Sequence, residues 1–190
     1  MKTLIRPALV TLGILAVITG LAYPLAVTGA AVAIFSREAR GSLLEAGGHV
    51  AGSALIGQQF SAPGHLWGRP SATAPFPYNA AASGGSNLGQ SNPALLDAVK
   101  ARVVALREKH PGETGPVPAD LVTASGSGLD PDISPAAAAY QVTRIATTRG
   151  IPGATVARVI SGCTAGRQFG VLGDPRVNVL CVNMALDQSR

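Results

Sequence analysis

Residues 7–36 read PALVTLGILAVITGLAYPLAVTGAAVAIFS, and no side chain between Arg6 and Arg37 is ionisable except Tyr23. A membrane-crossing helix needs about 20 mainly apolar residues at 1.5 Å rise each. The run is long enough, and it is read as a retained anchor. The competing reading is a cleaved export signal, with Lys2 and Arg6 as its basic start and Ala31-Val32-Ala33 at its cut. Such signals have an apolar stretch of about 7–15 residues, half of what stands here. Pro24 lies inside the run, removes a backbone donor and predicts a kink. Gly13 and Gly20 are seven residues apart and share one helix face, where small residues let another transmembrane helix approach closely. Lys2 and Arg6 before the run nearly balance Arg37 and Arg40 after it. The short tail leans inside and the long domain outside.

The chain therefore divides into a tail and anchor over 1–36 and an extramembrane domain over 37–190. Its 190 residues include 15 Lys+Arg against 10 Asp+Glu and are 47% hydrophobic, which excludes an intrinsically disordered chain. Two cysteines in that length exclude a disulfide-stapled scaffold. The 150 or so residues beyond the anchor suffice for one domain with a core.

Within that domain, the segment 37–46 is expected to prolong the anchor as a helix until Gly47-Gly48. Residues 57–92 are rich in Gly, Pro, Ser and Asn and read as a long irregular segment, ordered by Trp67, Phe76, Tyr78 and Leu88. Asn92-Pro93 opens a helix: an Asn cap, Pro at the first helical position, then Leu95, Leu96, Val99, Val103 and Leu106 at helical spacing. It ends near His110-Pro111. Residues 116–125 suggest a short strand and turn, Ser134-Pro135 a second helix closed by Gly150, and 154–160 a third. Residues 175–187 are expected to form a buried strand, Val177, Val179 and Cys181 on one face and Leu180, Val182 and Met184 on the other. The fold class is therefore α+β with short strands.

Catalytic signatures are missing. Gly52 to Gly57 has phosphate-loop spacing, but Gln58-Gln59 stand where Lys and Ser/Thr are required. His49, His65 and His110 are scattered, with no zinc-type spacing, and there is no nucleophile elbow. Ser83-Gly84-Gly85-Ser86-Asn87 can form an anion-binding nest ahead of a helix start; a Gly-rich turn is the competing reading. The cluster 123–128 reads as a tight turn. Arg69, in GRPSAT, either binds a partner or pairs within the domain, and Gln141 either contacts a ligand or is a plain glutamine. Asp130-Pro131-Asp132 reads as a turn. Cys163 and Cys181 are either a disulfide, if the domain faces an oxidising compartment, or two separate buried thiols.

Several long motifs in fixed order carry a resemblance. GSALIGQQF, GRPSAT, YNAAASGGSNLGQSNP, DLVTASGSGLDPDISPAAAAYQ and PRVNVLCVNMALD are similar to the KdpC family, subunits of the bacterial potassium-transporting P-type ATPase. The segments HPGETG and SGCTAGRQ lack family motifs, and both cysteines look like local additions. The resemblance covers the whole chain. It implies a non-catalytic inner-membrane subunit whose partners are a potassium-channel-like subunit, an ATP-hydrolysing P-type subunit and a small accessory subunit, with no nucleic acid. It implies a catalytic chaperone that raises the hydrolysing subunit's affinity for ATP. No cofactor is tightly bound in that picture, and ATP is met through the hydrolysing subunit. Likeness to the ATP-binding-cassette signature assigns nucleotide contact to Ser83, Gly84, Gly85 and Gln141. The docking reading instead uses Arg69 on the domain and Gly13 and Gly20 on the anchor. The alternative function is an extracytoplasmic binding module at the potassium entrance.

Overall fold

The computed structural model describes residues 2–188, which form two compact units that part between Leu43 and Leu44. The first is almost entirely one helical run, apolar and long enough to cross a membrane over Thr3–Ile34. It comprises α1 (Lys2–Val17), a π-helical turn (Ile18–Ala22) and α2 (Tyr23–Ile34). The expected disturbance at Pro24 takes the form of that wide turn. Proline has no N–H to donate and its ring presses on the carbonyl four residues back, here Gly20; widening the turn relieves both. Beyond it lies one short helix, α3 (Ser36–Ala39).

The helix expected to run on to Gly47-Gly48 does not. Gly41 and Ser42 turn the chain at φ 84° and 51°, and Leu43–Ala46 is instead strand β1. It pairs with β2 (His49–Ser53), and Gly47 and Gly48, both at positive φ, form the two-residue turn between them. Two consecutive left-handed residues match the twist of a hairpin, which is why glycines stand there.

In the second unit, α4 (Pro93–Lys109) begins where expected, with Asn92 Oδ1 accepting from the Ala94 N–H at 2.9 Å. Residues 116–125 form no strand. Pro116 and Pro118 have no N–H for a ladder, and the chain makes a 3₁₀ turn over Ala119–Leu121. Asp120 is fixed there by accepting from the Ser134 N–H at 2.7 Å. Strand β3 (Asp132–Ile133) leads into α5 (Pro135–Tyr140) and α6 (Val142–Arg149), which Gly150 closes at φ 65°. Then come α7 (Gly153–Gly162), β4 (Thr164–Ala165), β5 (Arg176–Asn178) and α8 (Val179–Gln188).

The strand expected over 175–187 is thus only three residues long. Asn178 caps α8, its Oδ1 accepting from the Cys181 N–H at 3.0 Å. Val179, Val182, Asn183 and Leu186 are then buried at helical spacing. Cys181 lies on this helix, not on a strand.

The sheet order is β3-β5-β4, all antiparallel, with Ile133 and Thr164 flanking Val177 from either side. Around that fully buried valine collect Leu66, Ala137, Ile145, Val156, Val182 and Leu186, each completely or almost completely shielded from solvent. Leu66 comes from the irregular segment, so that segment is part of the core. It is pinned by close approaches: a Cβ on Gly57 would lie 2.5 Å from both the Asp130 carbonyl oxygen and the Tyr78 ring, so no other residue fits.

Candidate functional site

Two buried amides organise the centre of the domain. Asn183 on α8 accepts from the Leu66 N–H at 2.7 Å and donates to the Leu66 carbonyl at 2.9 Å. Gln141, at the junction of α5 and α6, treats the next residue the same way. Its Oε1 accepts from the Trp67 N–H at 2.9 Å and its Nε2 donates to the Trp67 carbonyl at 3.1 Å. Each amide mimics one rung of a β-ladder, so the irregular segment is held as though paired with a strand.

Gln141 also donates to the Ala137 carbonyl at 3.2 Å and accepts from Arg144 Nη2 at 2.7 Å. An amide offers two donors and two acceptor sites, and all four are used inside the fold. Arg144 is buried with no carboxylate partner among the described residues. Its guanidinium lies 3.7 Å from the Trp67 ring centroid, donates from Nη1 to the Pro63 carbonyl, and donates from Nε to His110 Nε2 at 2.9 Å. Ring face, carbonyls and imidazole replace a counter-ion. Burial pushes the Arg144 pKa down to about 10, which leaves it charged at neutral pH. His110 donates from Nδ1 to the Leu106 carbonyl at 2.7 Å, because a carbonyl only accepts and Arg144 only donates. The imidazole is therefore the neutral tautomer. Its pKa is lowered, by burial first and by the Arg144 charge, against the opposing pull of the Leu106 carbonyl and Glu113.

Ser83 Oγ donates to the Ser127 carbonyl at 3.0 Å and the Gly84 N–H donates to the same oxygen at 2.9 Å. The glycine-rich segments 83–87 and 123–128 are thereby brought together, packed so closely that a Cβ on Gly85 would meet the Gly126 carbonyl oxygen at 3.0 Å. They do not reach Gln141, whose hydrogen bonds all lie within the core. Arg69 pairs with Asp130 at 3.0 Å, donates to the Ala124 carbonyl at 3.4 Å, and accepts the Tyr78 hydroxyl on its own carbonyl at 2.6 Å. Burial, aided by the Asp130 charge and opposed by Arg69, raises that phenol to about 12 and keeps it protonated. Gly13 and Gly20 have open space where a Cβ would stand. Cys163, at the end of α7, and Cys181, in the first turn of α8, are joined by a disulfide that brackets β4 and β5.

One surface feature has no signal in the sequence. A groove of about 480 Å³ runs between α4 and residues 59–78. Its floor is apolar, and α4 contributes to it without burying a single residue. The helical period of α4 is legible; of its periodic side chains, Leu106 lines the groove and also packs, partly buried, against the core.

A family model described as KdpC, the c chain of K+-transporting ATPase, matches residues 5–188. The chain is 61% identical over 189 residues to a potassium-transporting ATPase KdpC subunit of Variovorax paradoxus, with 100% of this chain and 98% of that one covered. It is 59% identical to the same-named subunit of Burkholderia vietnamiensis and 60% to that of Burkholderia orbicola, each over 190 residues and with the same coverage.

Proposed function

Since the chain belongs to the KdpC family of K+-transporting ATPase c chains, we propose that it is the non-catalytic subunit of a potassium uptake pump. It stabilises the assembled complex and raises the hydrolysing subunit's ATP affinity through contact with that subunit rather than with nucleotide. The observation that carries this reading is the closed hydrogen bonding of Gln141, which has no donor or acceptor left for a nucleotide. Ser83 and Gly84 are likewise engaged by Ser127. No group of His, Cys, Asp and Glu fit to hold a metal ion occurs among the described residues.

The partners are the channel-like, hydrolysing and small accessory subunits, reached in the inner membrane by the span Thr3–Ile34, whose Gly13/Gly20 face meets another helix. The domain is extracytoplasmic. The Cys163–Cys181 bond supports that side, because disulfides persist in oxidising compartments. A potassium-gathering module at the ion entrance fits less well: a chain of net charge +5 repels cations.

The experiment is to purify the pump with and without this chain and to measure both subunit stoichiometry and the ATP dependence of hydrolysis. Without it the complex should dissociate on purification and the surviving activity should need several times more ATP. An unchanged yield and ATP requirement would overturn the reading.

A further inference from the structure

The groove between α4 and residues 59–78 is a built site of unassigned purpose. Its volume, about 480 Å³, falls within the usual range of ligand-binding clefts. Phe60, Trp67, Pro70, Pro77, Tyr78 and Leu106 supply its apolar surface. Rigid aromatic and proline walls of this kind suit peptide chain, since they lose little conformational freedom when an extended segment lies against them.

The charges in the wall all have one sign. Arg69, Arg102 and Lys109 line the groove, and no acidic residue does. Arg102 spends one nitrogen on the Val122 carbonyl at 2.8 Å, and Lys109 has no ion pair among the described residues. Arg69 is held by Asp130, yet its buried Nε has no acceptor. Two cations without carboxylate partners beside a large apolar surface call for an occupant that brings both apolar side chains and negative charge.

We propose that this groove seats an apolar segment bearing an aspartate or glutamate, contributed by another subunit of the pump. The proposal rests on the docking reading above and adds the chemistry of what docks. The carboxylate meets Lys109 and Arg102 at the rim, while aliphatic or aromatic side chains cover Trp67 and Tyr78. Burying those rings on assembly supplies the affinity, and the cationic rim selects the segment.

The test uses the assembled complex. Ala105, on the α4 wall, is replaced by the photo-crosslinker benzoylphenylalanine, the purified complex is irradiated, and the joined peptides are sequenced by mass spectrometry. The expected product is one peptide of another subunit, apolar, with an Asp or Glu within a few residues of the link. Lys109→Glu in the same background should lower the crosslink yield about fivefold or more, and the crosslinker at the exposed Asp97 should give none. If the bulky group at Ala105 prevents assembly, Lys109 carries it instead. An adduct with lipid, with a second copy of this chain, or with a segment lacking acid overturns the proposal. So does the absence of any adduct in a complex that assembles at normal yield; that result leaves the docking reading standing and moves the contact elsewhere. Normal assembly in the absence of the chain would instead remove the docking reading itself.

Discussion

Gln141 and Asn183 hold consecutive residues of a loop, and the consequence is energetic before it is functional. Truncating Gln141 to alanine leaves the Trp67 N–H and carbonyl unpaired in the interior and strips Arg144 of one acceptor. Stranding buried polar groups and opening a small cavity should cost about 2–4 kcal/mol, read as a lowered thermal midpoint of the purified chain. Unchanged stability combined with a raised ATP requirement of the pump would return Gln141 to the nucleotide reading. His110 makes a second prediction at this scale. Its pKa is lowered in the folded state, so below its ordinary value the unfolded chain binds a proton that the folded chain refuses. The stability it contributes is present above about pH 6.5 and declines as the pH falls from there towards the folded value. His110→Gln, measured as midpoint against pH, should flatten that slope; an equally steep profile would assign the acid sensitivity to other groups.

At the scale of elements, the disulfide closes a loop between the end of α7 and the start of α8, with 18 residues of separation. A cross-link of that span restricts the unfolded chain and is worth about 3 kcal/mol in the chain-entropy model. Cys163→Ser with Cys181→Ser should therefore lower the denaturation midpoint of the oxidised protein, and a reducing agent should affect the parent but not the variant. Equal midpoints for parent and variant would show that the bond adds nothing. Helix starts are legible wherever a cap and proline stand together, as at Asn92-Pro93 and Ser134-Pro135. The start of α8 escapes that rule because Asn178 is a cap inside a run of valines that alternates like a strand. The clasp around Leu66 and Trp67 has no local signature at all. Its partners lie 74 and 117 residues apart in sequence, and a glutamine or asparagine looks the same whether it faces solvent or a buried backbone. Of the candidate residues, Arg69 is legible as a constrained arginine, but its carboxylate partner Asp130 is 61 residues away and only the fold brings them together.

For the whole molecule, the parting between Leu43 and Leu44 implies that the second unit, with its own shielded core, folds without the anchor. A chain lacking residues 1–36 should keep its helical circular dichroism and a cooperative melt, yet fail to co-purify with the other subunits, because the proposed packing of the span among their helices is gone. Recovery at normal yield would place all of the assembly energy in the domain. The clasp also has an optical consequence. Trp67 is the only tryptophan in the chain, with a guanidinium on its face and the His110 ring edge-on at 5.6 Å. Indole emission from the isolated subunit thus comes from one place, beside the neutral imidazole and along the groove. Protonating His110, loosening the Gln141 clasp and filling the groove each change the surroundings of that ring, so a single intrinsic chromophore tracks all three without a label.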